Sequence, residues 1–238
     1  MESIALFRVI AISLFLMLLP SQADSFSTEG CRGRKDPYRG KPSKPKRYTA
    51  NGALSDHLVA LDDSTAGLKL DLKYKTKANF TGRSLYPASA KCWVRPRLAQ
   101  AIKAATKRLS RGGFGLILYD CYRPWAVQVD LWKACPKRGL VGDPTRGSHH
   151  NRGAAVDVGL YRLGDGRPLE MPTAFDDLSH RARHNYQGGS AQSREHRRWL
   201  LVTMQKVGLR PIGSEWWHYQ LAGARHMSVL DIPLGPRQ

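Results

Sequence analysis

A strand-like run, "AAVDVGLY" (154–161), carries a carboxylate at its centre, and that residue limits what can be built around it. An isolated carboxylate among valines is costly to bury, so Asp157 must be paired with a cation or coordinate a metal. On a strand, Asp157 shares a face with Ala155 and Gly159, both small, while Val156, Val158 and Leu160 point the other way. The small neighbours leave room for a ligand. Upstream, "RGSHHNRG" holds two adjacent histidines, and Gly153 allows the loop to fold back and bring His150 beside Asp157. By residue type, His149 is equally suited. A catalytic zinc needs a third ligand. "SEWWHYQ" supplies His218, with Glu215 at the start of the same short segment. Two neutral imidazoles and one carboxylate would leave net positive charge on the zinc, lowering the pKa of a bound water whose proton Glu215 could accept. Spacing alone leaves another reading open, in which Asp157 pairs with one of the many arginines.

The rest of the chain supplies a frame for such a site. Apolar residues Leu98, Ala101, Ile102, Ala105 and Leu109 fall on one helical face, so a helix is predicted over Pro96–Arg111, with Pro96 in its first turn and Gly112–Gly113 ending it. "FGLILYD" then reads as a buried strand, and Pro124 opens a second helix through about Cys135. Ser193 is the predicted cap of a third helix running to Gly208, before the aromatic strand "EWWHYQL". This order predicts an α+β domain over residues 53–238, with a central antiparallel sheet carrying the site and helices packed around it.

Four cysteines are present: Cys31, Cys92, Cys121 and Cys135. A helix of about 16 residues is ~24 Å long, and a strand of about eight residues running back along it spans ~26 Å. That geometry returns Cys121 to the neighbourhood of Cys92 and leaves Cys31 to pair with Cys135. Two disulfides suit an oxidising compartment. So does the N-terminus: Arg8, an apolar run "VIAISLFLMLLP" and "SQA" read as a signal peptide over residues 1–23. The apolar run is short for a membrane span, so no stable membrane anchor is expected after cleavage, and the protein is expected to be secreted or periplasmic. Residues 24–52, rich in Lys, Arg, Pro and Gly, read as a basic extended arm tied down at Cys31.

The formal net charge is +19. Outside the cytoplasm this favours anionic envelope polymers as partners rather than nucleic acid, although a basic surface also aids solubility. The sequon Asn79-Phe80-Thr81 is assigned no sugar.

Ser148, His150, Gly153, Ala155 and Asp157 fit the pattern S-x-H-x-x-G-x-A-x-D, and Glu215, Trp217 and His218 fit E-x-W-H. These resemble the zinc D-alanyl-D-alanine peptidases, relatives of lysostaphin and hedgehog domains. "LKYKTKANFTGRSLY", "YDCYRP", "MPTAFDDLSH" and "EWWHYQL" are similar to segments of the D-alanyl-D-alanine dipeptidases of VanX type, over roughly residues 55–235. The resemblance implies one zinc ion held by His150, rather than His149, with Asp157 and His218. It implies Glu215 as catalytic base and Arg123 as the cation that steadies the polarised carbonyl. Ser148, Asp176 and Tyr74 match positions lining the substrate pocket. Asp176 is the expected partner of the substrate ammonium, with its neighbour Asp177 as the competing choice.

Three functions are therefore in play. The first is an exported zinc dipeptidase that hydrolyses D-Ala-D-Ala or a related cell-wall peptide. The second is a peptidoglycan D,D-carboxypeptidase or endopeptidase using the same site. The third is a non-enzymatic wall-binding module, against which the presence of Glu215 and Arg123 beside three ligands argues.

Overall fold

The structure, a computed structural model, describes residues 27–235. The expected signal peptide lies outside the described residues. Among the described residues, nine strands and three α-helices follow in chain order. They are β1 (Tyr48–Thr49), β2 (Val59–Leu61), β3 (Leu68–Leu70), β4 (Cys92–Val94), α1 (Pro96–Ser110), β5 (Phe114–Asp120), α2 (Trp125–Ala134), β6 (Ala155–Arg162), α3 (Ala191–Lys206), β7 (Leu209–Ile212), β8 (Glu215–Leu221) and β9 (Val229–Leu230).

The main sheet has five strands in the order β3-β5-β6-β8-β7. Three of its pairings are antiparallel, but β3 runs parallel to β5. The sheet is thus mixed, not wholly antiparallel as expected. Between β3 and β5 the chain makes β4 and α1, long enough for the crossover that a parallel pairing requires. The central strand β6 is buried along all but its last residue. Helices α1 and α3 pack against the sheet and each other. Leu98, Ile102, Ala105 and Leu109 of α1 are buried there, the stripe its periodicity predicts.

Pro96 occupies the first turn of α1, where its missing N–H costs nothing. Pro124 precedes α2 as its cap residue, in extended backbone. The cap of α3 is Ser190, not Ser193. Ser190 has extended backbone and its Oγ accepts the Ser193 N–H at 2.9 Å. Ser193 is already inside the first turn and buried.

Both cysteine pairs are joined: Cys92 to Cys121 with Cα atoms 5.3 Å apart, and Cys31 to Cys135 at 5.0 Å. The basic arm does more than hang from Cys31. Tyr38 packs on Trp132 and its hydroxyl reaches Asp143, Trp132 Nε1 donates to Asp36, and β1 pairs with β9. The arm is therefore packed onto α2 and the loop that follows it. Among the described residues no helix is long and apolar enough to cross a membrane.

Candidate metal centre

Asp157 and His218 face each other directly across β6 and β8, so their side chains share one face of the sheet. His150 arrives from the loop before β6, in a short 3-10 turn spanning His150–Arg152. Gly153 ends that turn at φ +62°, in the left-handed region, and a Cβ there would collide with Leu58. The fold-back expected of Gly153 is thus a backbone requirement.

The three side chains converge. His150 Nε2 lies 3.2 Å from Asp157 Oδ1, His218 Nδ1 lies 3.1 Å from the same oxygen, and the two ring nitrogens are 3.0 Å apart. All three residues are buried. The outer nitrogens fix the tautomers. His150 Nδ1 donates to the Cys121 carbonyl at 2.8 Å, and His218 Nε2 donates to Gln220 Oε1 at 3.0 Å. Both inward nitrogens are left as lone pairs facing a carboxylate oxygen. Three acceptors pointing at one another need a cation between them. Ligand atoms ~2.0–2.1 Å from a tetrahedral zinc are ~3.3 Å apart, close to the separations present here. The donor set therefore fits a zinc-type ion. His149, by contrast, lies to one side, its ring centre 6.3 Å from that of His218.

A cavity of about 360 Å³ opens over these residues. It is lined by Arg123, Ser148, Asp176, Tyr74 and Glu215, so the structure gathers every residue expected at the site. Glu215 enters where the β7–β8 register shifts at Pro211/Ile212, and such irregularities re-aim side chains. Burial, then the Asp157 and Asp176 carboxylates, push the Glu215 carboxyl up to about 8, against the pull of His218 and Arg123. That places its proton affinity near neutrality, where a group can both take and return a proton.

Asp176 is buried and has φ +62°, a conformation that non-glycine residues rarely hold without a reason. Its Oδ1 accepts the Tyr74 hydroxyl at 3.3 Å and its Oδ2 the Phe80 N–H at 3.4 Å. Burial chiefly, with help from Asp157, pushes its carboxyl up to about 7. Asp177 is occupied elsewhere, accepting from Ser179 N and Arg181 Nη2. Of the two neighbours, then, Asp176 is the one turned into the pocket.

Arg123 is buried, with its guanidinium 5.0 Å from the centre of the Tyr74 ring. Burial works against its charge, but the Asp120 carboxylate holds its pKa well above the ordinary value. Asp120 is the residue that sequence reasoning missed. It is fully buried at the end of β5 and accepts from Tyr86 Oη, Cys121 N and Arg123. The argument used for Asp157, a carboxylate in an apolar strand, applies equally to "LILYD" and would have found it. Gln128, which accepts Arg123 Nη1 at 2.8 Å, carried no such signal.

The family profile described as D-ala-D-ala dipeptidase matches residues 54–231. A D-alanyl-D-alanine dipeptidase of Escherichia coli (strain K12) is 35% identical over 68% of this chain and 83% of its own length. One from Enterococcus faecium is 33% identical over 73% of this chain and 96% of its own. Among solved structures, VanYB in complex with D-alanine-D-alanine is similar with a TM-score of 0.37 and 17% identity, over 57% of this chain and 75% of that one; so loose a likeness carries no weight here. The profile match spans most of the chain, and the chain accordingly belongs to the peptidase M15 family of D-Ala-D-Ala dipeptidases and is a metallopeptidase.

Proposed function

We propose that this protein is an exported zinc dipeptidase that hydrolyses D-Ala-D-Ala. The observation that carries the reading is the buried Asp176 carboxylate, which sits in the same cavity as Arg123, Glu215 and the His150–Asp157–His218 cluster. A dipeptide carries its free ammonium on the same residue as its scissile carbonyl, and a carboxylate at one end of a small cavity suits that group. Zinc, when bound, supplies a Lewis acid that polarises the carbonyl and acidifies water.

The chain's own groups do the rest. Asp176, positioned by Tyr74 and Phe80, holds the ammonium and fixes the substrate's register. Arg123, held rigid by Asp120 and Gln128, offers a fixed positive charge where the carbonyl oxygen becomes negative. Glu215 accepts the proton of the attacking water and returns it to the leaving amine. Export is supported by the signal-like N-terminus and by a cysteine content fully used in disulfides. The +19 charge suits an anionic wall environment.

The deciding experiment compares D-Ala-D-Ala, its N-acetyl form and a D-Ala-D-Ala-terminated pentapeptide with zinc-loaded protein. Cleavage of the free dipeptide alone supports the reading. Equal cleavage of the blocked peptides would replace it with the carboxypeptidase alternative.

A further inference from the structure

Beside the metal pocket runs a second groove of about 470 Å³. Val141, Gly147 and His149 line both, so the two cavities adjoin. Arginines 138, 146, 152 and 225 line the groove, and Asp143 is the one carboxylate among its lining residues. Asp143 is already taken, since Arg138 Nη2 reaches it at 2.8 Å and Tyr38 also donates to it. The other three arginines have no carboxylate partner among the described residues.

Arg152 is the telling one. It is only 7% exposed. Its guanidinium donates to the carbonyls of Met227, Ser148 and Arg146 at 3.0, 2.7 and 2.8 Å. Each of its three nitrogens thus has a carbonyl partner while its charge has no carboxylate, and a buried charge without a counter-charge is costly. The Arg225 Nε–H donates to His226 Nε2, so that imidazole is an acceptor and brings no anion. Arg146 is exposed, and no side-chain partner is present for it among the described residues. Three positive charges without a carboxylate partner thus line a groove that adjoins the metal pocket.

The groove's position relative to the substrate follows from what lines it. Tyr74, Phe80 and Asp176 line the metal pocket but not the groove. The groove therefore adjoins the pocket on a side away from Asp176, the side open to the leaving residue when Asp176 holds the ammonium. We propose that it is an anion subsite for the leaving residue, so that the enzyme takes dipeptides whose C-terminal residue bears a second carboxylate. This rests on the dipeptidase reading above and names its substrate class: D-Ala followed by an acidic residue, such as D-Ala-D-Glu. The main-chain carboxylate stays near the pocket, and the side-chain carboxylate extends toward Arg146 and Arg225, with Arg152 behind.

The test measures kcat/KM for D-Ala-D-Ala and D-Ala-D-Glu with the zinc-loaded full-length protein and with an Arg146→Ala/Arg225→Ala double variant. Both substituted residues are exposed, and Arg152, whose bonds hold the loop, is left intact. The native protein should prefer the acidic dipeptide. The ratio of the two kcat/KM values should fall by about 10-fold in the variant, the scale of one charge-assisted contact. It should also fall in the native protein as salt is raised. An unchanged ratio in the variant would overturn the subsite while leaving D-Ala-D-Ala hydrolysis standing. Failure of the native protein to cleave either dipeptide would overturn the dipeptidase reading and this proposal with it.

Discussion

Asp120 Oδ2 accepts two N–H groups from Arg123, at 3.0 Å from Nε and 2.5 Å from Nη2. The same oxygen lies 3.4 Å from His150 Nδ1. One buried carboxylate thus sits between the guanidinium that faces the cavity and a histidine of the metal cluster. Asp120→Asn keeps the shape but cannot accept from both Nε and Nη2 as an anion. The expected result is a fall in kcat of about 10-fold or more with KM little changed, since Arg123 acts on charge that develops in the transition state. An equal rise in KM with kcat intact would assign Asp120 to substrate binding instead.

Glu215→Gln retains the size of the side chain and removes its ability to accept a proton. Activity should drop at least ~100-fold, the lower range for general acid–base catalysis. Arg123→Ala should cost a similar factor. Arg123→Lys should not restore it, because an ammonium cannot make the paired bonds to Asp120. Steady-state kinetics of the three variants with D-Ala-D-Ala decide this, and recovery by lysine would show that charge alone suffices.

The Asp176 carboxyl stands at about 7 in the fold against an ordinary 3.8, mainly through burial. A raised acid favours the neutral form in the native state, so its contribution is fully present below about pH 4 and is lost as pH rises through about 7. Metal-free protein should therefore lose thermal stability across that window. In Asp176→Asn the loss should be smaller, and asparagine tolerates the positive φ. The same variant should lose most of its dipeptidase activity. Parallel Tm-versus-pH curves for the two proteins would contradict this account of Asp176.

The Cys31–Cys135 bridge spans 104 residues of sequence. In the chain-entropy picture, closing a loop of that size contributes about 4–5 kcal/mol. A Cys31→Ser/Cys135→Ser variant should show a clearly lower Tm. Its turnover at low temperature should persist, because Cys31 and Cys135 do not line the metal pocket. Abolished activity in a still-folded variant would mean that the arm shapes the pocket through the loop it grips.

How much of this was legible in the sequence differs by element. The α1 stripe and the buried β5 and β6 follow from periodicity, and the cost of a lone buried carboxylate singles out Asp157, but the choice of His150 over His149 rests on the resemblance to the zinc D-alanyl-D-alanine peptidases. The parallel edge strand β3 did not, because Leu68–Leu70 is too short to show a period. The cap of α3 was misplaced because Ser190 and Ser193 are equally good by type, and only the extended backbone at Ser190 separates them. The ammonium partner was undecided between Asp176 and Asp177, since a positive φ at the first of them is a property of tertiary packing. Asp120 was overlooked although its signal was the same as that of Asp157.

The central claim is that His150, Asp157 and His218 hold one zinc ion and that His149 does not take part. Elemental analysis after zinc loading and dialysis tests it most directly, on the native protein and on His149→Ala and His150→Ala. The account predicts one zinc per chain in the native protein and in His149→Ala, with a large loss in His150→Ala. Equal zinc content in the two variants would contradict it.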